Sequence, residues 1–197
     1  ILHATYFLIT MLLIGLICLY QLNVYTWFVA VSAVPLVILY PLAKRFTKWP
    51  QIILGLTFSW AVPTAWSAAN EEWNLGIFIM YLATVFWIIG YDTIYGCQDK
   101  NEDEIFGIKN SAVSAKNFIT LFVGCSYSLM FCLLIISGYL LNNNVFWYIG
   151  VSICGLHLSY QVIKIKNIEQ NSPLQIFKSN VVLGLLLTLS SLGNYIS

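Results

Sequence analysis

Residues 73–112 read WNLGIFIMYLATVFWIIGYDTIYGCQDKNEDEIFGIKNSA. Residues 73–91 carry no charge, and crossing the hydrocarbon core of a bilayer as a helix takes about 20 apolar residues. Immediately afterwards come Asp92, Asp99, Glu102, Asp103 and Glu104, five of the eight acidic residues in the chain. A membrane-grade helix that runs straight into a cluster of carboxylates defines both the class of protein and the place to look for its chemistry.

The rest of the sequence has the same character. Its 197 residues are 59% hydrophobic and 9% charged, with a mean hydropathy of +0.80, whereas a soluble domain carries about 25% charged residues. The expected class is therefore all-α: a single polytopic membrane helix bundle over residues 1–197. A net charge of +1 gives no electrostatic footprint for nucleic acid. The five cysteines form no CxxC pair and are odd in number, which argues against a disulfide framework and reads as small buried hydrophobes.

Charge-free runs at 1–43, 49–70, 73–91, 117–163 and 179–197, the two longest divided by Gln21-Leu22-Asn23 and Asn142-Asn143-Asn144, give seven spans. They are expected near 4–21, 25–43, 51–69, 73–91, 117–140, 145–163 and 179–196. All nine basic residues then fall in alternate connections: Lys44, Arg45 and Lys48; Lys100, Lys109 and Lys116; Lys164, Lys166 and Lys178. The opposite turns hold no Lys or Arg, so the positive-inside rule places the basic face in the cytoplasm. Trp27, Trp49, Trp73 and Trp147 near span ends read as interfacial anchors, and Pro63 as a kink in the third span.

Asp92, Tyr95, Asp99 and Asp103 are spaced to share one face of a continuous helix. Like charges at i,i+4 repel and are costly to desolvate beside a bilayer, so a cation would relieve Asp99 and Asp103. Carboxylates are hard ligands suited to Mg²⁺, which commonly uses one or two of them together with substrate phosphates. Neither histidine lies near in sequence and no thiolate cluster exists, which disfavours zinc. Lys109, after the expected Gly107 turn, can meet a phosphate as a point charge. Carboxylates, a metal and a lysine beside an oily bundle describe a site for a diphosphate with an apolar tail. The plainer alternative is a solvated loop. An ion pathway is less well supported, because no other span carries a mid-span acid or base.

At these residues the sequence resembles the UbiA superfamily of membrane prenyltransferases. YDTIYGCQDKNED followed by GIKNSA is similar to the family's second aspartate-rich motif. YPLAKRFTKWPQIILGLTFSWAVPTAWSAA (40–69) is similar to the YP..KR.T..PQ..LG..F.W..P stretch of the 4-hydroxybenzoate polyprenyltransferase branch, and FKSNVVLGLLL (177–187) is also similar. The resemblance implies a nine-helix all-α bundle with a cavity open to lipid. It also implies Mg²⁺-dependent transfer of a polyprenyl group from its diphosphate to an aromatic acid, as in ubiquinone biosynthesis, in a bacterial inner membrane. Carried over residue by residue, Asp99 and Asp103 match the metal–diphosphate pair, and Asp92 and Tyr95 match the YDxxY lead-in. Lys109 matches the lysine near the diphosphate, and Arg45 a basic residue implicated in substrate binding. The departing diphosphate would be neutralised by metal and basic groups, while aromatic walls shield the allylic cation, with Phe58, Trp60 and Trp87 as candidates.

Two departures stand out. The family's first motif, NDxxDxxxD, has no counterpart, since no Asp precedes Asp92, and seven spans are expected where the family has nine. Both are accounted for if two helices and their acidic loop lie upstream of Ile1, and this chain alone is then expected to be inactive. Asn110 also stands where a GIKST-like run is usual, which points to a weaker phosphate contact. The competing readings are a UbiA-type enzyme for another aromatic acceptor, a non-catalytic membrane carrier, and a truncated remnant.

Overall fold

The computed structural model describes residues 2–167 and 172–193. Among them every regular element is helical. They are α1 (Leu2–Tyr20), α2 (Val24–Val31), α3 (Val34–Phe46), α4 (Pro50–Ser59), α5 (Ala61–Asn70), α6 (Leu75–Gly96), α7 (Lys100–Ile105), α8 (Ser111–Ala115), α9 (Ile119–Leu140), α10 (Val145–Lys166), α11 (Pro173–Lys178) and α12 (Asn180–Leu192), with a 3₁₀ turn at Lys116–Phe118. Several of these join end to end, and seven helical stretches are long and apolar enough to span a bilayer: Leu2–Tyr20, Val24–Phe46, Pro50–Asn70, Leu75–Gly96, Ser111–Leu140, Val145–Lys166 and Pro173–Leu192. The chain is an integral membrane protein.

The expected spans and the observed ones agree in number and order, and the differences are physical. The fourth continues past Tyr91 to Gly96, so Asp92 and Tyr95 ride on the membrane helix itself. The fifth and seventh start earlier, at Ser111 and Pro173, because the short helices α8 and α11 lead into α9 and α12 and lengthen those stretches. The expected end of the seventh span at 196 lies outside the described residues. In the third span the break falls at Trp60, between α4 and α5, just ahead of Pro63; proline cannot bond the carbonyl four residues back and its ring crowds that turn.

The bundle is built around α6, which packs most extensively against α9, next against α4, and then against α11. Its buried residues include Tyr81, Val85, Ile88, Ile89 and Ile94. One apolar core joins α6, α9, α10 and α12 through Ile94, Val123, Met130, Val151, Leu158 and Leu183. A smaller core sets Tyr81, Val85 and Ile89 against Leu56 and Trp60. In lipid there is little hydrophobic drive between helices, so close packing and interhelical hydrogen bonds hold them. Ser137 Oγ donates to Gly76 O at 2.8 Å, joining α9 to the start of α6.

Two side-chain expectations are corrected. Trp147 is 3% exposed and its Nε1 donates to Leu134 O at 3.1 Å, so it is a core residue rather than an interfacial anchor. Of the cysteines only Cys154 is buried; Cys18, Cys125 and Cys132 face outward, where a membrane bundle meets lipid and a small apolar thiol is equally at home.

Candidate active site

The carboxylate segment is not one helix. α6 ends at Gly96, Cys97 caps it, and Asp99 is the N-cap residue of the separate helix α7, with φ −102° and ψ 8°. Asp92 and Tyr95 therefore share α6, while Asp99 and Asp103 belong to the next element, and the expected single helical face is broken in two. The Asp99–Asp103 spacing survives as one turn, in which Asp103 N donates to Asp99 O at 2.8 Å. Asp99 makes no side-chain capping bond and is exposed. After α7 the chain reverses at Gly107, whose φ of +66° is a left-handed conformation open to glycine at little cost.

Asp103, by contrast, is buried at 7% exposure, and its Oδ2 accepts from Asn110 Nδ2 at 2.8 Å. Asn110 is the hub of this pole. Its Nδ2 also donates to Gly96 O at 3.3 Å, and its Oδ1 accepts from Ala112 N at 3.0 Å, capping α8, and from Gln51 Nε2 at 3.0 Å. Gln51 Oε1 in turn accepts from Ser111 N at 3.0 Å. Ser111 and Thr93 hydroxyls, both fully buried, lie 2.6 Å apart. Gly96 is what lets the Asn110 amide lie on the helix end, because a Cβ there would stand 2.6 Å from Asn110 Oδ1.

Asp92 has the Gln51 side chain and the Lys44 ammonium as polar neighbours, with the phenols of Tyr40 and Tyr91 close by. Lys109 Nζ donates to the main-chain carbonyl of Arg45 at 3.0 Å, and Ser114 Oγ to that of Lys48 at 2.8 Å. These bonds bring the first two basic connections to the same end of the bundle. The Arg45 side chain is exposed at that end. The Lys116 ammonium pairs with Glu104 and holds its carboxyl below the ordinary range, through the hydrogen bond first and the charge second. Burial pushes the Cys97 thiol up to about 11; its Sγ donates to Thr93 O at 3.4 Å.

Aromatic rings descend from this pole along α6. Tyr95 and Phe177 have centroids 4.9 Å apart, Tyr91 and Phe177 5.5 Å, and Trp87 and Tyr91 5.9 Å. Trp87 Nε1 donates to Asn180 Oδ1 at 2.8 Å. Of the three expected aromatic walls, only Trp87 belongs to this row. Phe58 faces outward beside Tyr40, and Trp60 is committed to Tyr81 and to Val29 O. Nearby, the Ser179 hydroxyl donates to Ile176 O at 2.7 Å, so it must accept from both Gln161 Nε2 and His157 Nε2, each at 3.0 Å. Tyr127 completes that network through Gln161 Oε1 at 2.7 Å.

Gln51 and Phe177 carry no role in the sequence reading, and Lys44 only that of a basic residue of the first connection. Gln51 carries a usable signal, being an amide in the first turn of an apolar span. Asn110 looked like a defect in a phosphate contact, yet it is the residue that holds Asp103. Among the described residues no trio of His, Cys, Asp or Glu gathers into a complete metal site. An open groove of about 1340 Å³ between α9 and α10 is lined by Gly124, Cys125, Phe131 and Gly155 among others and has no acidic residue in its lining.

A family model for UbiA prenyltransferases matches residues 1–189. The chain belongs to the UbiA prenyltransferase family. It is 36% identical over 194 residues to the 4-hydroxybenzoate octaprenyltransferase of Francisella tularensis subsp. novicida (strain U112), covering 98% of this chain and 68% of that one. It is 38% identical over 179 residues to the mitochondrial 4-hydroxybenzoate polyprenyltransferase of Dictyostelium discoideum, covering 87% of this chain and 37% of that protein. No solved structure matches the chain. Within this prenyltransferase the carboxylates lie at one polar end of an apolar bundle.

Proposed function

We propose that this UbiA-family protein transfers a polyprenyl group from polyprenyl diphosphate to the ring of 4-hydroxybenzoate, a step of ubiquinone biosynthesis, with Mg²⁺ as cofactor. The observation that carries the reading is the convergence, at one end of the bundle, of Asp92, Asp99 and Asp103 with the basic connections around Arg45 and Lys109. The relatives named for this reaction match nearly the whole chain. The protein would lie in a bacterial inner membrane with this pole cytoplasmic, as the clustering of Lys and Arg supports.

The donor set fits a hard divalent cation. Asp99 makes no capping bond, and Asp103 commits only Oδ2 to Asn110. Two carboxylates are what Mg²⁺ takes when substrate phosphates complete its shell. When bound, the cation supplies positive charge to the departing diphosphate. Lys109 spends one N–H on Arg45 O and keeps two for phosphate oxygens, while Arg45 offers a planar donor fork to an anionic group of a substrate. As the allylic C–O bond breaks, the row Tyr95, Phe177, Tyr91 and Trp87 presents aromatic faces to the developing cation. The ring carbon beside the phenol oxygen of the acceptor forms the new C–C bond and then loses its proton. Apolar spans take up the isoprenoid tail and keep away water that would quench the cation.

The test is prenyl transfer to labelled 4-hydroxybenzoate in membranes carrying the natural protein. Replacing Asp99 by Ala is expected to lower the rate by a factor on the order of 10²–10³, the scale of losing one group that stabilises transition-state charge. An unchanged rate would remove Asp99 from the mechanism. Efficient transfer to a different aromatic acid, with none to 4-hydroxybenzoate, would reassign the acceptor.

A further inference from the structure

We infer that Gln51, which lies beside Asp92, is a positioning residue for the carboxylate site: through Asn110 it orients Asp103. The inference rests on the metal–diphosphate reading of this pole. Its starting point is the break between α6 and α7. Because Asp92 and Asp103 sit on different helices, no shared helical register fixes their relation. Asp103 must be held by some other structure, and the buried bonds identify it.

Gln51 is 4% exposed, one residue into α4 after Pro50. Its side-chain nitrogen carries two protons. One goes to Asn110 Oδ1 at 3.0 Å, and Asp92 is a polar neighbour of the same side chain. Its oxygen is held by the Ser111 N–H at 3.0 Å, which prevents the amide from turning over. Asn110 is held equally firmly. Its oxygen takes the Ala112 N–H as well as Gln51, and its nitrogen gives to Asp103 Oδ2 and Gly96 O. The result is one directed chain, Gln51–Asn110–Asp103, which with the bonds to Gly96 O and from Ser111 N ties α4, α6, α7 and α8 together. It takes up Oδ2 of Asp103 and leaves that residue's Oδ1 uncommitted within the chain. Groups that hold metal ligands in this way typically change metal affinity by about 10- to 100-fold when lost.

Gln51→Glu is the informative substitution. It keeps the shape and the bond from Ser111 N, but sets an oxygen against Asn110 Oδ1. If the Asn110 amide turned over to meet it, its own oxygen would then face Asp103 Oδ2, so the disturbance reaches Asp103 either way. Gln51→Met removes the bonds to Asn110 and from Ser111 N at similar volume. The measurement is Mn²⁺ binding by electron paramagnetic resonance to the purified natural protein, with inorganic pyrophosphate present, alongside thermal unfolding and the KM for 4-hydroxybenzoate. Weaker Mn²⁺ binding, by about 10-fold or more, with that KM changed less than about twofold, is expected. Thr93→Val, which breaks the buried bond to Ser111 but touches no carboxylate, serves as the comparison. It should lower the unfolding temperature and leave Mn²⁺ binding in place.

Unaltered Mn²⁺ binding in Gln51→Glu would overturn the proposal and leave Gln51 a packing residue. If Gln51→Met does not accumulate, Gln51→Glu alone decides. Asp99→Asn separates this outcome from the reading beneath it. If that variant still binds Mn²⁺–pyrophosphate as the parent does, the site assignment fails whatever Gln51 does.

Discussion

At the scale of single residues, the polar end of the bundle is held by side-chain amides whose partners are distant in sequence. Asn110 bonds Gln51 across 59 positions and Asp103 across seven. Replacing Asn110 by Ala leaves one N–H of the buried Gln51 amide and Asp103 Oδ2 without the partner Asn110 gave them, and each such group costs about 1–3 kcal/mol. A clearly lower unfolding temperature in detergent is the expected result. Gly96→Ala should act on the same hub from the other side, by overpacking, at about 1–3 kcal/mol, because its Cβ would meet both Asn110 amide atoms within 2.7 Å. Cys97 provides a local probe. Its thiol, pushed up to about 11 by burial, should alkylate slowly at neutral pH in a variant that keeps only this cysteine, and faster as the pH climbs toward that value. Rapid labelling at pH 7 would show that the pole is open. None of these dependencies was visible in the sequence: Asn110 read as a weaker phosphate contact, because an amide's value here lies in partners that only folding supplies.

At the scale of elements, the spans were legible because long charge-free runs admit few alternatives, and the number and order of the helices followed. The break between α6 and α7 was not. Helical spacing runs unbroken through Cys97 and Gln98, and no proline marks the stop. What ends α6 is tertiary, since the Gly96 carbonyl is taken by Asn110 instead of continuing the ladder. α7 is then fastened at its far end by Glu104 to Lys116, a residue with φ of +31° that joins α8 to the turn before α9. The sign of its pH dependence follows from the lowered carboxyl. Glu104's contribution is complete above the ordinary carboxylate value of 4.5 and is lost as the pH falls through its lower folded value. Because the pair is solvent-exposed the effect is small and local. Protection of the amides across residues 100–110, taken relative to their intrinsic exchange rate at each pH, should fall on acidification in the parent, and Glu104→Gln should show the lower protection already at pH 7. Equal exchange in the two proteins at pH 7 would mean that the pair does not fasten α7.

At the scale of the whole molecule, the basic connections gather at one end and Glu71-Glu72 at the other, a charge asymmetry that was plain in the sequence. Cysteines placed at Lys48 and Glu72 should label from opposite sides of the membrane, Lys48→Cys from the cytoplasm; the reverse would invert the proposed orientation. The same end also carries a mechanical property. Lys109 and Ser114 hook the carbonyls of Arg45 and Lys48, and α6 lies along α9 over most of its length. The backbone between these two attachments, around the exposed Gly107, therefore transmits little of the force that keeps the halves together. The chain should be severable there. Two pieces meeting at Gly107, expressed separately in one cell, are expected to find each other in the bilayer and to copurify through a tag on either one. Co-insertion without copurification would show that the covalent link, and not the hooks and the α6–α9 seam, holds the molecule closed.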